Sequence, residues 1–262
     1  MAENPYAAPR TRVEDARTEM PDGEFIPEGR GVAAGNGWRW ISDAWAFTGD
    51  QRWTFVGVFL LFALLAIVMS VIPRVGTLLN TLLMPVFSAG FTLGCDAARR
   101  GQPLEVGHLF AGFQKQHLGK LIMTGAISLV CLLLMVLLII GLFGSTVGMI
   151  FLGAEPVAEE MPRLLLTLLL ATLILIALSL PLYMALWFAG PLIVLGQSDV
   201  FPALKTSFGA CLKNVLPYLV WSIAVLVLAI PATIPLGLGW LLLGPILMAS
   251  IYLSYRDIFH DI

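Results

Sequence analysis

Charge is scarce in this sequence and nearly absent from its long apolar runs. Only 12% of the 262 residues are Asp, Glu, Lys or Arg, and these crowd into the ends and a few connectors. A water-facing surface of ordinary composition is therefore excluded. No basic block occurs, so no nucleic-acid partner is expected. Three cysteines, Cys95, Cys131 and Cys211, form neither a Cys-x-x-Cys pair nor an even set, which leaves no zinc motif and no disulfide framework. They read as small apolar packers. The opening 36 residues lack the basic start and short apolar core of a signal peptide, so membrane insertion is expected to be directed by the first true span.

What is abundant is apolar surface, 58% of the chain. Residues 1–36 are rich in Pro, Gly, Ala and charge and are expected to be a disordered cytoplasmic tail. Six runs of bilayer length follow, at 53–72, 77–97, 121–142, 164–188, 216–234 and 236–253. A hydrocarbon core of ~30 Å takes ~20 helical residues. Helices are required there because lipid supplies no partner for backbone groups, and nothing alternates with the period of a barrel strand. The expected fold is thus an all-α polytopic membrane bundle over 37–259, with 260–262 as a short cytoplasmic C-terminus. The third run extends in one reading to Leu152, and the fourth past Pro181 and Pro191 to Leu195. The last two runs are joined only by Pro231 to Pro235, and a re-entrant hairpin is the alternative to two crossings.

Lys and Arg near the spans give the direction. With the N-terminus inside, Arg39, Arg52, Arg99, Arg100, Lys115, Lys120, Lys205, Lys213 and Arg256 fall on the cytoplasmic side, against Arg74 and Arg163 outside. Nine against two is a strong positive-inside bias. The acidic connector with Glu155, Glu159 and Glu160 falls outside, and Trp53, Trp221, Trp240, Tyr252 and Tyr255 are candidate interfacial anchors.

Before each pair of runs lies a stretch too polar to cross but with helical apolar spacing: GWRWISDAWAFTGDQRW, EVGHLFAGFQKQHLGK and DVFPALKTSFGACLKN. In the third, Phe201, Leu204, Phe208, Cys211, Leu212 and Val215 share a face; in the first, Trp38, Ile41 and Trp45 do. Three repeats of an interfacial amphipathic helix plus a transmembrane hairpin are expected.

Candidate chemistry is thin. Asp96 is the one acidic residue at a predicted span, and Arg99 and Arg100 follow within a turn, so a boundary ion pair is the favoured reading over a functional acid. Ser145 has no histidine near it in sequence, since His108, His117 and His260 fall in connectors or the tail. Glu105 and His108 have the Glu-x-x-His spacing of a di-iron pair, but in a single copy. No enzyme, metal or cofactor is expected. Gly90 with Gly94 and Gly144 with Gly148 form two GxxxG pairs, expected to pack within the bundle. In the tail, Asn4, Pro5, Tyr6, Pro9, Val13 and Asp15 of NPYAAPRTRVED form a candidate docking peptide for a protein partner.

The stretches ARRGQPLEVGHLFAGF, PALKTSF and GPILMASIYLSYRDIF resemble an uncharacterised family of proteobacterial six-helix inner-membrane proteins, itself similar to the membrane domain fused to some glycerophosphodiester phosphodiesterases. The likeness implies a fold and a bacterial inner-membrane location, not an activity; the sequence contains no phosphodiesterase domain. The NPYxxP opening resembles a leader found before several unrelated bacterial inner-membrane domains. The expected function is that of a non-enzymatic membrane module in envelope maintenance or assembly, the alternative being transport or binding of an apolar or lipid-like molecule.

Overall fold

Hydrocarbon leaves a backbone N–H or C=O no partner outside its own chain, so each long apolar run has to close its hydrogen bonds within itself. The computed structural model describes residues 23–151 and 161–261. It contains α1 (Asn36–Phe47), α2 (Arg52–Val71), α3 (Gly76–Arg99), a 3-10 helix (Val106–Phe113), α4 (Lys115–Phe151), α5 (Met161–Trp187), α6 (Ala189–Val194), α7 (Val200–Lys213), α8 (Val215–Thr233) and α9 (Trp240–Phe259). Two short strands, β1 (Glu24–Phe25) and β2 (His260–Asp261), pair antiparallel. The fold is an all-α bundle, and six helical segments are long and apolar enough to cross a membrane.

Those six segments match the six runs, with two adjustments. Breaks occur where the sequence is weakest as helix: Phe143 in α4 has φ −129° and ψ 21°, and Phe188, with φ −105°, separates α5 from α6. Pro191 sits in the first turn of α6, where no intrahelical N–H is missed. The sixth helix begins later and ends later than expected, at Trp240–Phe259 instead of 236–253. Leu236 at φ +53° and Gly237 at φ +80° take the left-handed conformation and stop α8 from running on. Trp240 Nε1 then donates to Thr233 Oγ1 at 3.1 Å, tying the turn shut. At 19 and 20 residues, α8 and α9 are each about 30 Å long, so the final pair has the length of two full crossings.

The ordered domain begins before residue 37. Residues 23–35 form a strap over the end of α9: Glu24 and Phe25 pair with Asp261 and His260, Ile26 N–H donates to Phe259 O at 2.8 Å, and Arg30 N–H to Ile258 O at 2.9 Å. Gly29 turns at φ +62° against Ile258, Phe259 and Ala210, a conformation and a closeness that suit glycine. Both ends of the domain therefore lie together, as an even number of crossings demands.

α3 is the central element. It packs against the 3-10 helix, α4, α2, α6 and α9. The α4–α5 hairpin, by contrast, buries almost nothing beyond its charged-end turns, and its leucines point outward along most of its length.

All three polar stretches before the hairpins are helical, though the middle one is 3-10. Their buried faces differ from the sequence reading. In α7 the bundle takes Val200, Ala203, Ser207, Ala210 and Cys211, while Phe201, Leu212 and the following Val215 are exposed. In α1 it takes Gly37, Trp40, Ile41 and Ala44, leaving Trp38 and Trp45 half exposed. Small residues face protein because they allow close approach, and large apolar ones face outward where lipid would receive them. Tyr252 and Tyr255, read as interfacial anchors, are buried packers; Trp53 and Trp240 remain exposed and Trp221 is partly buried.

Candidate functional site

The polar groups of the described chain gather at the end carrying the termini. On α3, Asp96 Oδ1 accepts from Tyr252 OH at 2.9 Å and from Arg99 Nε at 3.2 Å, while Oδ2 pairs with Arg100 at 2.8 Å. Arg99 Nε also lies 3.1 Å from the Tyr252 hydroxyl. Asp96, Arg99 and Tyr252 are all buried. The carboxylate thus faces two guanidiniums and a phenol, an arrangement that pins α3 to α9.

A second acid, Asp257, was outside the span predicted for α9 and so went unnoticed in the sequence. Its Oδ2 accepts from Asn36 Nδ2 and Trp40 Nε1, each at 2.8 Å. Arg30 donates to its backbone oxygen at 2.8 Å and pairs with Oδ1 at 3.3 Å. Asn214 completes the knot by accepting from Val32 N–H at 2.8 Å and donating to Arg30 O at 2.9 Å. The strap, α1, α7 and α9 are thereby joined. Lys120 at the start of α4 reaches Asp199 at 2.7 Å, which ties the second hairpin to the α7 entrance. Within α7, Ser207 Oγ bridges the α5–α6 break, donating to Met184 O at 2.7 Å and accepting from Phe188 N–H at 2.9 Å. Burial beside this bridge pushes the Cys211 thiol up to about 12, against the lowering effect of its Ser207 contact.

The two GxxxG pairs separate. A Cβ on Gly90 would overlap the Leu109 carbonyl oxygen, and one on Gly94 would press on Leu104 and His108, so this pair seats the 3-10 helix and not another span. Beside Gly144 and Gly148 no atom of the described residues would meet an added Cβ within 4 Å. The Glu105–His108 spacing has a local use: the Glu105 N–H donates to His108 Nδ1 at 3.0 Å, capping the 3-10 helix. Among the described residues no group of three or more His, Cys, Asp or Glu gathers as metal ligands would. Asn4, Pro5, Tyr6, Pro9, Val13 and Asp15, the acidic Glu155, Glu159 and Glu160, and the side chain of Ser145 lie outside the described residues.

One concavity is a cleft of about 400 Å³ among the spanning helices, walled by α2, α3, α4, α5, α6 and α9. Phe62, Met84 and Ile251 supply apolar wall, and Ser88, Thr124 and Ser128 supply hydroxyls. Thr124 and Ser128 each donate to the carbonyl four residues earlier, at 2.9 Å, so these hydroxyls ask little of a guest in a mainly apolar lining. Across the Tyr183–Trp187 wall of α5, a groove of about 220 Å³ opens between α5, α7 and α8, lined by Trp187, Tyr218 and Trp221. One hint of this is legible in the fourth run, which Pro181, Gly190 and Pro191 interrupt.

Compared with known proteins, the chain matches no family model, no curated protein and no solved structure. The reading of function rests on its own geometry.

Proposed function

We propose that this protein is a non-catalytic bacterial inner-membrane protein that accommodates an apolar or lipid-like molecule in the cleft beside the α4–α5 hairpin. The cleft itself carries the reading. It is bounded by six helices and includes a helix break, and broken helices commonly border such sites in membrane proteins. Three of its hydroxyls, on Thr81, Thr124 and Ser128, already donate to backbone carbonyls, and most of its wall is apolar, which favours a guest needing few hydrogen bonds. The excess of Lys and Arg at the terminus-bearing end supports an inside position for both termini.

The test is a photo-crosslinking amino acid at Tyr183, on the wall between cleft and groove, compared with one at Leu133 on the outward face of α4. Lipid adducts at Leu133 are expected to follow bulk membrane composition, and those at Tyr183 to be enriched in one class. Identical adduct profiles at the two positions would sink the proposal.

Assembly with a protein partner is a second reading, favoured by the strap. Because residues 23–35 are bonded to α9 and Asn214, the NPYAAP segment is tethered to a fixed point on the charged end. Deleting residues 2–20 is expected to abolish crosslinks to that partner; an unchanged set of crosslinked proteins counts against it.

A further inference from the structure

α1 divides two surroundings of opposite character. On one side lies a polar hollow with Asn36, Arg39, Asp43, Arg256 and Asp257; on the other lies a groove of about 480 Å³ that runs from Trp38, Ile41 and Trp45 along α8 and α9 past Leu228 and Ile246. The helix has water-seeking groups on the first side and two half-exposed tryptophans on the second, as expected of an element at the boundary between water and hydrocarbon. The groove descends to Pro231 and Gly239, near the far turn, so most of it lies at hydrocarbon depth. Its walls offer water almost no partners, and a bilayer fills such a space with an acyl chain.

At the α1 end of this groove stands Arg52. Its guanidinium lies 4.1 Å from the centre of the Trp45 ring and donates to the Trp45 carbonyl at 3.1 Å. Among the described residues it has no carboxylate partner, and the neighbouring Trp53 is exposed. A stacked guanidinium with N–H groups to spare, held beside an acyl-sized groove, is suited to a phosphate ester oxygen. We infer that the groove under α1 is a binding site for one phospholipid of the adjacent leaflet, with its phosphate at Arg52 and a chain along α8–α9. This site shares no lining residue with the cleft beside α5 and stands whether or not that cleft holds a guest.

The experiment is native mass spectrometry of the full chain, delipidated in detergent and supplied with phosphatidylglycerol or with diacylglycerol of the same chains. One phosphatidylglycerol is expected to be retained, at least tenfold more strongly than diacylglycerol. Ser42→Trp, at an exposed lining position, and Leu242→Trp, a partly exposed one, each fill the groove and are expected to remove this adduct. Arg52→Gln is expected to reduce phosphatidylglycerol retention to the diacylglycerol level. Parental retention in both groove-filling variants overturns the site, and an undiminished preference for phosphatidylglycerol in Arg52→Gln overturns the role of Arg52. A Tyr183→Ala variant, which alters the wall shared by the cleft and the α5–α7–α8 groove but no residue lining this site, should leave the adduct intact; its loss there would move the lipid away from α1 and overturn this site.

Discussion

At the charged end Tyr255 and Phe259 are 0% exposed, whereas Leu165 and Leu180 on α5 are both 59% exposed, although all four belong to helices of spanning length. The first pair is enclosed by aromatic rings, the strap and α7; Phe188, Tyr255 and Phe259 meet edge-on or tilted with centroids 5.2 to 6.3 Å apart. The second pair faces largely outward, where lipid would meet it. Directional bonds and close steric fits thus specify one region, while the other is specified by solvent and length. Helix α4 makes the contrast plainer. Its 37 residues extend about 55 Å, well beyond a ~30 Å core, so the hairpin has to tilt or bend, and the break at Phe143 lies where it would leave the bilayer.

The sharpest way to break this comparison is to remove a carboxylate from the specified region and a side chain from the other. Asp96→Ala strips Arg99, Arg100 and Tyr252 of the oxygen atoms they share and is expected to cost about 3 kcal/mol or more. Leu133→Ala on the hairpin exchanges one lipid contact for another and should stay within about 0.5 kcal/mol. Denaturation in mixed micelles reads both. Similar losses would mean that the hairpin is as tightly specified as the charged end.

A smaller effect comes from the glycine pairs, which look alike in sequence. Gly90→Ala drives a methyl group into the Leu109 carbonyl and should cost about 1–3 kcal/mol through overpacking. Gly144→Ala meets nothing among the described residues and should be neutral or stabilising by up to about 1 kcal/mol, from helix propensity. The same unfolding assay decides, and a loss at Gly144 would reveal a neighbour beyond the described residues. Weaker again is Asp257→Asn, which weakens the half-exposed pair with Arg30 and should cost about 1 kcal/mol. Tryptic cleavage after Arg30 is expected to accelerate several-fold, and an unchanged rate would assign the strap to its backbone bonds alone.

The six spans were legible because lipid imposes length and hydropathy run by run. What escaped was whatever depends on partners distant in sequence. Residues 23–35 carry few apolar side chains, and their order comes from backbone bonds to Ile258 and Phe259, more than 220 positions away. Asp257 was hidden because Tyr255, Arg256 and Asp257 look like the end of a span, yet buried partners let α9 continue to Phe259. The inner face of α7 departs from the sequence reading because bulk and hydropathy single out residues such as Phe201 and Leu212, while close packing selected Ala203, Ser207 and Ala210. Gly90 and Gly144 share a motif, and only the position of the 3-10 helix tells them apart.

Cys211 sharpens the comparison without changing stability at neutral pH. It is 6% exposed on α7, and burial lifts its thiol to about 12. At pH 8 its thiolate fraction should be about one in ten thousand, against roughly a quarter for an unfolded cysteine of pKa ~8.5. A folded pKa above the unfolded one means that the neutral thiol stabilises the fold fully below pH ~8.5, and that this contribution fades as pH rises toward 12. No change in stability from this group is therefore expected between pH 6 and 8. A water-soluble maleimide at pH 8 should label Cys211 at least a thousandfold more slowly in the folded chain than after denaturation, read by mass spectrometry of the α7 peptide. Rapid labelling in the fold would show that α7 lifts from Met184 and Phe188, and would move it from the specified region to the one shaped by solvent alone.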